Sequence, residues 1–175
     1  MSIENETGTL QSILEKIKDQ AARKMDFTAP TDALQVRTVE GNTNILVEAN
    51  RGVPTMQFET NEVAFQQLAS NCDIDVRTAR RLRDNENYAP EFDNLINKIL
   101  VNESKQKMLR TFDGEKRLVR AIVSDKFKTF DNVDLVEAAL PQLMQSEANW
   151  QIVNGTVTDE RLYMRLKSLT QVGEP

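Results

Sequence analysis

Leu10, Ile13, Leu14, Ile17, Ala21 and Met25 recur with the three- and four-residue spacing of a single helix face. The spacing predicts an amphipathic helix over residues 9–27, from Thr9 to Phe27, which Ala29-Pro30 keeps from continuing. The period then changes to two. Leu34, Val36 and Thr38 alternate with polar neighbours, Glu40 to Asn44 read as a turn, and Ile45, Val47 and Ala49 alternate again, which predicts a hairpin. Met56 and Phe58, after Gly52-Val53-Pro54, predict a third short strand. Three helices are expected next: residues 61–72 capped by Thr60, 76–83 capped by Asp75, and 90–101 with Phe92, Leu95, Ile96, Ile99 and Leu100 on one face. Residues 107–112 and 115–124 flank Asp113-Gly114, a dipeptide that favours a type I′ turn because both positions must tolerate positive φ. Asp131 is placed to cap a helix running to Gln145, which Pro141 is expected to kink or end early. Residues 150–157 and 161–166 complete the pattern as two strands.

This alternation of helix, strands, helices and strands predicts an α+β fold, an antiparallel or mixed β-sheet with amphipathic helices packed against it. Without internal repeats or linkers, the 175 residues are expected to form one domain, residues 1–175. No apolar run approaches the ~20 residues that span a bilayer. The first residues have neither the basic start nor the apolar stretch of a signal peptide. The expectation is a cytoplasmic protein with no membrane partner.

Charge and special residues narrow the chemistry. The chain has no histidine and one cysteine, Cys72, so it lacks an internal disulfide, a Ser-His-Asp or Cys-His catalytic arrangement, and the N and S ligands of a structural zinc site. Cys72 reads as a small buried hydrophobe. The six glycines are never closer than 11 positions, which excludes a phosphate-binding or dinucleotide-binding loop. Asp125, Asp131 and Asp134 lie close enough in sequence to hold magnesium, but a helix cap and a first-turn acid explain the last two. The reading is therefore a protein that is not an enzyme, with no catalytic residues, no metal site and no cofactor. Net charge is -5, yet residues 104–128 carry eight cations against three anions, leaving -10 for the remainder.

Three stretches carry a resemblance: Gln20-Ala21-Ala22-Arg23-Lys24-Met25-Asp26-Phe27-Thr28-Ala29-Pro30, then Arg120-Ala121-Ile122-Val123-Ser124-Asp125-Lys126-Phe127-Lys128 with Asp131-Asn132, and Arg161-Leu162-Tyr163-Met164-Arg165-Leu166. Their order resembles the phage/plasmid-like proteins of unknown function catalogued as DUF nine-three-two. Members are usually longer, with a further sheet-forming region, so the resemblance implies a shorter relative or a fragment truncated at its C-terminal end. It implies a mobile-element origin and carries no site residues.

Two basic constellations remain. In the hairpin region, Arg110, Lys116, Arg117, Arg120, Lys126 and Lys128 are interleaved with Phe112, Phe127 and Phe130. Single-stranded nucleic acid needs that mixture, because cations track phosphates while rings stack on bases at ~1–3 kcal/mol each. Simple alternation puts Lys116, Leu118, Arg120 and Ile122 on one face and Arg117, Val119, Ala121 and Val123 on the other. A solvated sheet edge is the competing reading. In the second constellation, residues 68–82 have the form of a helix-turn-helix, with Asp73 where glycine is usual and Arg77, Arg80, Arg81 and Arg83 available to a duplex groove. A solvated arginine face competes with it. The leading expectation is a phage or plasmid accessory protein that binds nucleic acid without catalysis, as a single-strand-binding or annealing protein in recombination. A protein-protein effector acting on a host partner through its acidic surface is the alternative. Homo-oligomers are expected to form through the open strand edge of residues 150–166.

Overall fold

The computed structural model describes residues 10–48, 56–146 and 150–169. The expected positions of Thr9, Ala49 and the Gly52-Val53-Pro54 turn lie outside these. The elements are α1 (Leu10–Arg23), β1 (Phe27–Pro30), β2 (Leu34–Val39), β3 (Asn42–Val47), β4 (Met56–Thr60), α2 (Glu62–Asn71) and α3 (Val76–Arg83). They continue with α4 (Ala89–Asn102), β5 (Gln106–Phe112), β6 (Leu118–Ser124), α5 (Asn132–Gln145), β7 (Trp150–Val157) and β8 (Leu162–Ser168). A short 3₁₀ turn, Thr31–Ala33, joins β1 to β2. The fold is α+β, as expected, and comprises two compact units, one of residues 23–127 and one drawn from residues 1–22 and 128–175.

The larger unit holds a mixed six-stranded sheet in the order β1-β5-β6-β4-β3-β2, parallel between β4 and β6 and antiparallel elsewhere. Phe58, Phe65, Phe92, Ile45, Ile96, Leu109 and Val119 are almost wholly buried in its core, and the rings of Phe65 on α2 and Phe92 on α4 pack at 6.0 Å. α4 also closes the outer edge of β2. The Asn97 amide accepts from Val36 N at 2.7 Å and donates to Val36 O at 3.0 Å, while Asp93 accepts from Thr38 N at 2.6 Å. Side chains of a helix thus replace the strand that would otherwise add there.

Several boundaries differ from the sequence expectation. α1 ends at Arg23 rather than near residue 27, and Phe27–Pro30 form an edge strand against β5. Phe and Thr favour extended backbone, and Pro30 at an edge loses no ladder bond. The β2–β3 turn is only Glu40-Gly41, with φ of 50° and 75°, so Asn42–Asn44 belong to β3. Asn61, not Thr60, caps α2, because the Thr60 hydroxyl donates to Thr43 O at 2.8 Å while Asn61 Oδ1 accepts from Ala64 N at 2.9 Å. The β5–β6 connection spans residues 113–117 instead of a two-residue turn, since Asp113 N is taken by Arg23 O at 2.7 Å. α5 runs through Pro141 to Gln145; Pro141 is exposed, where water can satisfy the carbonyl it leaves free.

The smaller unit packs α1, α5 and the β7–β8 ribbon around Ile13, Ile17 and Val136, with Val157, Leu162 and Met164 from the ribbon. Gly155 is required there, because a Cβ would run into Ile13 Cδ1 and Tyr163 O. Buried Gln20 ties three elements together: it donates to Thr158 O at 2.9 Å and accepts from Asn132 Nδ2 at 3.0 Å.

Candidate nucleic-acid interface

The cationic hairpin does not present one open surface. A β-bulge sets Arg110 opposite Ala121 and Thr111 opposite Val119, with Arg120 as the extra residue. The bulge resets the alternation, so Val119 and Ile122 both enter the core. Arg110 and Arg120 gather instead around Asp26, whose side chain is 9% exposed. Arg110 Nε lies 3.1 Å from Asp26 Oδ2, Arg120 Nη2 3.7 Å and Lys24 Nζ 3.8 Å, while Thr111 N donates to Oδ1 at 3.0 Å. Phe112 is 1% exposed, with the guanidiniums of Arg23 and Arg120 over its ring at 5.2 and 4.5 Å. These three predicted contacts, Arg110, Phe112 and Arg120, are therefore placed as internal structure.

The other predicted residues of this region are more open. Lys116 is exposed and reaches Glu59 at 3.6 Å, and Arg117 pairs with Asp113 at 2.9 Å. The Arg117 hydrogen bond and that from Gly114 hold the Asp113 carboxyl below its ordinary value. Lys126, Phe127 and Lys128 are exposed on the segment after β6, with Arg110 over the Phe127 ring at 5.7 Å.

α2 and α3 are two helices joined by a short turn. Asp73 adopts φ 53°, the left-handed conformation the turn needs, and Asp75 caps α3 by accepting from Thr78 N at 3.0 Å. Two of its four arginines are committed to packing. Arg80 reaches Glu62 at 2.6 Å; Arg83 reaches Glu62 at 3.2 Å and lies 4.1 Å over the Phe65 ring. Burial raises the Glu62 carboxyl, but hydrogen bonds from Gln66, Arg80 and Arg83 outweigh it and hold the group below its ordinary value. Arg77 and Arg81 remain exposed and form no ion pair among the described residues. Cys72, beneath the turn, is buried as expected, and burial above all pushes its thiol up to about 11.

A third surface escaped the sequence reading. Along β8, Leu162, Met164 and Leu166 turn toward the interior, while Tyr163, Arg165 and Lys167 alternate with them on the solvent face, preceded by exposed Arg161. Tyr163 is 61% exposed, and none of the three cations forms an ion pair among the described residues. Thr156 stands across from Tyr163, and Gln151 across from Lys167. The adjoining turn carries two acids, Asp159 and Glu160. The period-two alternation of Arg, Tyr, Arg and Lys was legible in residues 161–167 and is the signal that would have found this row.

Among the described residues, no group of three or more His, Cys, Asp or Glu is placed to hold a metal ion. Nor is any helix long and apolar enough to cross a membrane. No family model, curated protein or solved structure matches the chain.

Proposed function

We propose that this protein binds single-stranded nucleic acid without catalysis, through the solvent face of the β7–β8 ribbon. The observation that carries the reading is the exposed row of Tyr163, Arg165 and Lys167 with Arg161 at its head, without a carboxylate pair among the described residues. Alternate residues of a strand stand ~6.6 Å apart, so cations and ring address the same ligand from one side. The guanidiniums and ammonium track phosphates, and the phenol ring stacks on an unpaired base. A duplex hides its base faces, which favours single strands at this surface. Removing the ring in Tyr163→Ala is expected to weaken binding of a labelled oligonucleotide about 5- to 150-fold, from the ~1–3 kcal/mol of one stacked base. Unchanged affinity in that variant sinks the stacking role.

The exposed Arg77 and Arg81 of α3, which follows a turn with Asp73 at φ 53°, favour a second reading as a duplex reader. Competition by unlabelled duplex separates the two. Displacement that depends on Arg81 assigns binding to α3, whereas displacement by single strands alone assigns it to β8.

A further inference from the structure

Sheet edges in this protein are guarded by different means, and one carries only a bulge. β2 is closed by Asn97 and Asp93 of α4. β1 has only four residues and ends in Pro30. β8 carries Arg165 and Lys167, so setting it against its own copy would bring like charges together. β7, by contrast, is eight residues long and reads Trp-Gln-Ile-Val-Asn-Gly-Thr-Val, with neither charge nor proline. Its irregularity is a bulge in which the extra residue is Val153, 51% exposed and apolar. Among the described residues, no strand but β8 pairs with it. Beside the start of β7 lies an apolar groove of about 630 Å³ lined by Leu10, Leu140, Met144 and Trp150, where Met144 is 84% and Trp150 41% exposed.

We propose that β7 pairs antiparallel with β7 of a second copy, closing a two-fold dimer through the continuous sheet β8-β7-β7-β8. The occupant is a second copy because β7 opposed to itself sets no like charges together, and a two-fold pairing uses the free edge once and closes. The axis of such a pair stands normal to the sheet. Both Tyr163-Arg165-Lys167 rows therefore face the same way, on the outer strands of one four-stranded surface. The pairing does not depend on nucleic-acid binding, and it is tested without any.

Light scattering on the wild-type chain across concentration is compared with Val153→Lys, which places a charge on the edge, and Val153→Thr, which keeps the branched shape. The expected result is a dimer mass for wild type and Val153→Thr, halved in Val153→Lys with unchanged far-ultraviolet circular dichroism. Hydrogen exchange of the wild-type chain gives a second reading that needs no variant, in which the amides of residues 150–157 lose protection on dilution. A wild-type monomer at high micromolar concentration overturns the proposal. So does a dimer that Val153→Lys leaves intact with its β7 protection unchanged, or a mass that grows without limit as concentration rises.

Discussion

Replacing Asp26 by alanine removes the carboxylate shared by two arginines with little exposure to water. Asp26 is 9% exposed in its side chain, Arg110 10% and Arg120 13%, so solvent gives little compensation. The backbone N–H of Thr111, at a residue with no exposure, loses its Oδ1 acceptor at 3.0 Å, a loss of ~1–3 kcal/mol for an unsatisfied buried donor. The charged hydrogen bond from Arg110 Nε at 3.1 Å is lost with it. Together these amount to the ~3–5 kcal/mol typical of breaking a buried ion pair from one side. Urea unfolding followed by far-ultraviolet circular dichroism is expected to show the midpoint falling by about 2 M, taking a slope near 2 kcal/mol per molar. Asp26→Asn, which keeps an acceptor without the charge, is expected to fall between. The only tryptophan, Trp150, lies in the smaller unit. Asp113→Ala removes the exposed partner of Arg117 and is expected to leave the midpoint in place. An Asp26→Ala midpoint as unmoved as that of Asp113→Ala would refute the reasoning that the hairpin arginines are internal structure.

Glu62 and Cys72 give two further expectations. The Glu62 carboxyl is held below its ordinary value in the fold. Its contribution is therefore complete above the unfolded carboxylate value of about 4.3 and lost as pH falls through the lower folded value. Glu62→Gln is expected to flatten the acid side of the stability profile, and an acid limb identical to wild type contradicts the clamp on Arg80 and Arg83. The Cys72 thiol, buried and raised to about 11, is expected to ignore a disulfide reagent near neutral pH in the native protein and to react fully in denaturant. Rapid native labelling would show that the α2–α3 turn opens.

The longer helices were legible because they bury an apolar face, and α3 through its Asp75 cap: the spacing of Phe92, Ile96 and Leu100 marks α4 without reference to anything distant. Elements decided by long-range hydrogen bonds were less so. β1 is only four residues long and its partner β5 lies some eighty positions away, so local pattern let the preceding helix run on to Phe27, and the Thr60-Asn61 choice of cap turns on a carbonyl of Thr43 that local sequence does not reveal. The site suffered from the same cause. Alternation along β6 assumes a regular strand, and the bulge at Arg120 reverses it, drawing Arg110 and Arg120 to an aspartate more than eighty positions away. On β8 no bulge intervenes on the strand itself, so the alternation of Tyr163, Arg165 and Lys167 carries through to the surface.

Fluorescence anisotropy of a labelled single-stranded oligonucleotide across a salt series, with wild type and an Arg165→Gln, Lys167→Gln double variant, tests the ribbon surface most directly. The three exposed cations Arg161, Arg165 and Lys167 predict a logarithmic salt slope of about -2, at ~0.7 per phosphate contact, falling to about -0.7 in the variant. Binding whose slope is the same in both proteins, or no binding at low salt, would contradict the account.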